Sequence, residues 1–232
     1  MNIFEKLFKD TEIPMLYPVE FSLPRGQIQC SQISELILDD IRKQQLENRI
    51  TPGMRIAVTA GSREITNIDQ IIKTVVDFIK DCGASPFIFP AMGSHGGATA
   101  EGQLEVLAGY GITEETMGCP ILSSMDTVQI STAPNGLPVH IDKYAAQADG
   151  IIPIGRIKPH TDFHGKYESG LMKMLTIGLG KQYGANLCHS LGMSNMPENI
   201  AAYAGEVLRL KNVIFGVGII EDAFHATYKL TV

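Results

Sequence analysis

The chain has no C-x-x-C pair, no H-E-x-x-H segment and no excess of basic residues, and each absence removes a class of function. Its four cysteines, Cys30, Cys82, Cys119 and Cys188, are too scattered across 232 residues for a disulfide framework, so reduced thiols are expected. A net charge of −6 argues against a nucleic-acid face, which needs cations to displace counterions from phosphates. No segment approaches the roughly 20 apolar residues that cross a bilayer. Near the start, Glu5, Lys6, Lys9 and Asp10 interrupt any signal-peptide core. Internal repeats, low-complexity tracts and linkers are also lacking. The expectation is a cytoplasmic protein with neither nucleic acid nor membrane as partner, whose 44% hydrophobic residues suffice for a core.

Apolar periodicity supplies the elements. Ile33, Leu36, Ile37 and Ile41 form a helical stripe with Ser31 as N-cap. Arg55–Thr59 reads as a short strand. A second amphipathic helix, capped by Asn67, carries Ile68, Ile71, Ile72, Val75, Phe78, Ile79 and Cys82 on one face, with Gly83 as its left-handed C-terminal cap. Pro86–Phe89 is the next strand, and Thr99 opens a helix through Gln103, Leu104 and Leu107. Val128–Thr132 and Pro138–Ile141 flank Pro134-Asn-Gly136 as a hairpin. Gly150–Ile154 is a buried strand, a helix runs from about 197 to 210, and Val213–Val217 is a last strand with no closing helix after it. Residues 1–232 thus read as one α/β domain: Rossmann-like, three-layered, with a mostly parallel sheet and an inserted β-hairpin.

Three loops fall where strands of such a sheet end, the place where ligands collect. They are Ala60-Gly-Ser-Arg63, Ala91-Met-Gly-Ser-His95-Gly-Gly97 and Gly155-Arg-Ile-Lys-Pro-His160. Each sets glycine beside a charged or titratable side chain. Arg63, supported by Ser62, can fork onto a carboxylate or a phosphate. His95 stands between glycines, and His160 follows a rigid proline, with His164 close by as an alternative. Lys173, between Met172 and Met174, reads as a surface lysine snorkelling over apolar neighbours or as a partly desolvated, nucleophilic amine. His189 follows Cys188, and either could ligate a metal. Gly178-Leu-Gly180-Lys-Gln-Tyr-Gly184 lacks the internal spacing of a dinucleotide fingerprint, though its glycines suit close approach to a mononucleotide phosphate.

The run from Gly155 through His160, Glu168 and Lys173 to His189, sixteen positions beyond Lys173, resembles the amino-terminal domain of the nickel-dependent lactate racemase family. The resemblance implies a racemase or epimerase of a small-molecule 2-hydroxy acid. It also implies a nickel-pincer nucleotide (pyridinium-3,5-bisthiocarboxylic acid mononucleotide) attached to Lys173, contacts to it from Ser62 and Arg63, nickel coordination by His189, and His95 with His160 as the acid–base pair. Such proteins carry a carboxy-terminal domain that closes over the cofactor, so a domain missing from this chain is expected as a partner. Two rivals stand beside this reading. One is a zinc-dependent hydrolase using His95, His160 and His189 as ligands around an open water position. The other is a non-catalytic nucleotide-binding module.

Overall fold

The computed structural model describes residues 2–3, 7–12 and 14–232. Glu5 and Lys6, whose charges interrupt a signal-peptide core, lie outside the described residues. The strands are β1 (Arg55–Ala60), β2 (Ser85–Pro90), β3 (Thr127–Thr132), β4 (Pro138–Asp142), β5 (Gly150–Ile152), β6 (Ile154–Arg156), β7 (Val217–Glu221) and β8 (Thr227–Thr231). The α-helices are α1 (Cys30–Lys43), α2 (Ile68–Asp81), α3 (Ala100–Gly109), α4 (Glu114–Met117), α5 (Lys143–Ala146), α6 (Gly170–Lys173), α7 (Lys181–Ser190) and α8 (Met196–Leu210).

β1 pairs in parallel with β2 on one side and β5 on the other, while β6 pairs in parallel with β7, whose far edge carries antiparallel β8. Proline explains the break between β5 and β6. Pro153 has no N–H for the ladder, and the next amide, Ile154 N, donates instead to Thr59 Oγ1 at 2.8 Å. Alternation along the strands sorts side chains to two faces. Ile56, Val58, Ile88, Ile152 and Ile154 face a core shared with α1 and α2, whereas Ala57, Phe87, Phe89 and Ile151 face one shared with β4, α7 and α8. Helices thus cover both faces, giving the expected α/β architecture with parallel pairing at its centre. On α2 alone, Ile71, Ile72, Val75, Val76 and Ile79 are fully buried, each contributing about 1.5–3 kcal/mol.

Several local expectations shift. α1 begins at Cys30, one residue before Ser31, and Gln32 Oε1 accepts from Gln29 N at 2.9 Å where a serine cap was expected. Asn67 is the N-cap residue of α2, as expected, but it is left-handed (φ 61°) and its side chain makes no capping bond; its amide reaches Thr227 Oγ1 at 3.4 Å. Gly83 does end α2 at φ 76°, with Ala84 N donating to Ile79 O. The hairpin β3–β4 is present, with a bulge between Gln129 and Ser131. Val213 makes only a bridge to Ile151, and the strand proper starts at Val217, because the chain crosses there from the β5 side of Pro153 to the β6 side.

Candidate active site

Three parallel strands deliver their carboxyl ends to one cleft of about 430 Å³. β1 leads into Gly61, Ser62 and Arg63; β2 leads into Ala91, Met92 and the loop bearing His95; β6 leads into Lys158 and His160. Lys173 forms part of the fourth wall. Five of the six residues expected from sequence, Ser62, Arg63, His95, His160 and Lys173, therefore line a single cavity. His189 does not line it: it is exposed in the last turn of α7, with Cys188 buried beside it. His164 is exposed and pairs with Glu168 at 3.2 Å.

At two of the loop glycines the neighbour is a protein side chain. A Cβ on Gly61 or Gly155 would stand 3.3 or 3.5 Å from Met174 Cε, so one methionine side chain fills the gap between two strand ends. Likewise Gly180 and Gly184 crowd the Tyr203 hydroxyl, which leaves these two glycines serving helix packing where approach to a phosphate was expected.

The two histidines differ at Nδ1. Ser62 Oγ contacts His95 Nδ1, and as a rotor it can donate or accept. Ser62 is itself fixed by Tyr110, whose hydroxyl donates to Ser62 O at 2.8 Å. His160 Nδ1 instead accepts from Asp162 N at 3.1 Å, so its neutral form carries the proton on Nε2. The His160 ring stacks on Phe163 with centroids 4.0 Å apart, and Lys173 Nζ sits 5.6 Å from that same ring. Phe163 is only 5% exposed, which makes it a buried platform under both groups. Glu168 ties the loop: it accepts from His160 N at 2.9 Å and Gly165 N at 3.1 Å.

Electrostatics favour neutral nitrogens. Burial lowers the His95 pKa first, then Arg63. His160 is lowered by burial, then by Lys173. Lys173 is lowered by burial, then by Arg63 and Lys158. Arg63 makes no hydrogen bond or ion pair among the described residues, whereas Arg156 in the same cleft is tied to Glu221 at 2.5 Å. A free guanidinium beside two amines suits an anion, even in a chain of net charge −6.

Lys173 closes α6, and a π-helical turn follows at once, Leu179 N donating five residues back to Met174 O at 3.0 Å. Such turns widen a helix locally and recur at functional sites. Sequence reasoning gave no role to Phe163 or Glu168, although both lie in the run from Gly155 to Lys173, and it did not find this turn, which leaves no mark in an apolar pattern.

Among the described residues, no three His, Cys, Asp or Glu side chains gather into a metal-holding group. His95, His160 and His189 therefore do not form the three-ligand centre that the zinc-hydrolase rival needs. No helix is long and apolar enough to cross a membrane among the described residues. No curated protein matches the chain. The family model for the lactate racemase N-terminal domain matches residues 9–201, the stretch containing every residue of the cleft. The chain belongs to the lactate racemase N-terminal domain family.

Proposed function

We propose that this chain is the cofactor-bearing domain of a 2-hydroxy acid racemase or epimerase. The observation that carries the reading is the convergence of a half-buried amine, two imidazoles and an unpaired guanidinium on one cleft. The residues fit a lysine-tethered nucleotide: Lys173 offers an amine whose burial favours the nucleophilic free base, and Arg63 with Ser62 offers donors for an anionic group. The nickel-pincer nucleotide would supply the acceptor and donor for the carbon-bound hydrogen. The resemblance assigns the metal's protein ligand to His189, which does not line the cleft in this structure, so its side chain would have to be brought to the cofactor.

The protein's own part is proton transfer and orientation. Arg63 is the anion-binding group of the cleft, able to fork onto the cofactor's phosphate or the carboxylate of the 2-hydroxy acid. One imidazole removes the hydroxyl proton as the alcohol becomes a ketone, and the other returns a proton after the plane has turned. His95 can take a proton at Nε2 because Ser62 can then accept its Nδ1–H. His160 can do so only once the Asp162 amide leaves Nδ1, so the loop around residues 160–169 rearranges when substrate binds. Apo geometry that tightens in the complex is ordinary for such sites.

Production with the enzymes that make the cofactor tests the reading. Lys173 should gain a nucleotide-sized mass that Lys173→Ala abolishes, and His189→Ala should keep the adduct but lose nickel. In the active form, His95→Ala and His160→Ala should each lower racemisation at least about 100-fold. An adduct that survives Lys173→Ala would overturn the attachment site.

A further inference from the structure

Lys181 breaks three local rules at once. Its side chain has 0% exposure, its backbone is left-handed at φ 53°, and it sets a cation at the N-terminus of α7, the end where the helix dipole opposes one. Departures of this kind collect where a site needs what local preference would not choose. The ammonium donates to Pro90 O at 2.6 Å and to Gln103 Oε1 at 3.0 Å, and lies 3.3 Å from Asp142 Oδ2. Gln103, also at 0% exposure, turns its amide the other way: Nε2 donates to Gly93 O at 3.0 Å and to His95 O at 3.2 Å.

A buried Lys–Asp pair alone would be weak evidence of anything beyond packing, since apolar replacements of such pairs are often neutral. Here the ammonium reaches past Asp142 to the end of β2 and, through Gln103, to two carbonyls of the loop that carries His95. Lys181 itself opens the helix that follows the Lys173 segment. Just before it, a Cβ on Gly178 would meet Ala91 O at 2.9 Å, so the two segments are already in contact.

We propose that Lys181 and Gln103 are positioning residues that clamp the His95 loop to the Lys173 segment, fixing the acid–base group relative to the tethering amine. The proposal rests on the reading of His95 given above. Gln103→Met keeps side-chain length and leaves Lys181 with Pro90 and Asp142, so it should fold even if Lys181→Met does not.

The test is NMR titration of the histidines together with amide exchange over residues 92–97, in the wild-type chain and in both variants. In Gln103→Met the His95 midpoint, held below its ordinary 6.5 by burial and Arg63, should move up as the loop loosens, while that of His160 stays put. Loop amides should exchange roughly tenfold faster or more, the effect of leaving one buried hydrogen-bonding group unsatisfied. An unchanged His95 midpoint and unchanged exchange in a folded Gln103→Met protein would overturn the clamp. So would equal movement of His95 and His160, which a general loosening produces. In the cofactor-loaded active form, with its second domain in place, kcat should fall with KM nearly unchanged. A shifted His95 with full turnover would leave the clamp standing and remove His95 from acid–base catalysis.

Discussion

Lys173 combines two demands that conflict. An amine that is to act as a nucleophile gains from desolvation, yet desolvation makes its charged form costly in the folded state. Its pKa is lowered in the fold, by burial first and by Arg63 and Lys158 next. Below that lowered pKa the amine is charged in both folded and unfolded chains, and folding bears the full cost. As pH rises through the folded pKa towards the ordinary 10.5, the unfolded state holds more protons and stability recovers. Lys173→Met should therefore raise the urea midpoint at pH 7, and the gain should shrink as pH approaches 10. A gain that grows with pH would contradict the direction of the shift. Lys173 was legible through the resemblance of the Gly155–His189 run, since two flanking methionines alone suit a snorkelling surface lysine as well. Gln103 was not: on α3 the apolar pattern favours Leu104 for the interior, yet Leu104 is 38% exposed and Gln103 is buried. Helical period places a face only to within a residue, and the pull of buried loop carbonyls decided this one.

At the scale of elements, the strands and helices that bury a regular stripe were readable, as were the loops at their carboxyl ends. Harder to read was whatever depends on a single backbone atom. Pro153 divides one expected strand into β5 and β6, and the same division moves the following strand from residue 213 to Val217. The His95 loop shows the same sensitivity. Gly96 is left-handed at φ 65°, and a Cβ there would stand 2.6 Å from Gly102 O and Gln103 N. From the other side, a Cβ on Gly102 would stand 2.1 Å from Gly96 O. Loop and helix meet backbone to backbone, and neither atom can swing away as a flexible side chain would. Gly102→Ala should thus cost about 1–3 kcal/mol, the range for forced overpacking, although alanine is the better helix former. It should also weaken the Ser62–His95 contact. Chemical denaturation and the His95 chemical shift would read both effects, and a stabilised Gly102→Ala protein would show that the loop yields freely.

For the whole molecule the controlling fact is that the cleft faces solvent. Arg63, His95 and Lys158 are all exposed, and Ser62, His160 and Lys173 are only half-buried. Charges there are screened, and a ketone formed from the substrate could diffuse away before the second proton arrives. Closing elements normally exclude water and complete such a constellation. The His160 loop is also not arranged for proton transfer, because Nδ1 is occupied by the Asp162 amide. These 232 residues alone should therefore fold and melt cooperatively, and should bind small carboxylates weakly through Arg63. Racemisation should stay at background even with Lys173 loaded, and should appear only when a second domain covers the cleft. Chiral chromatography across several 2-hydroxy acids would decide the point. Sustained turnover by the 232-residue chain would mean that the open cleft already holds everything the reaction requires, with the acid–base pair acting in the geometry seen now.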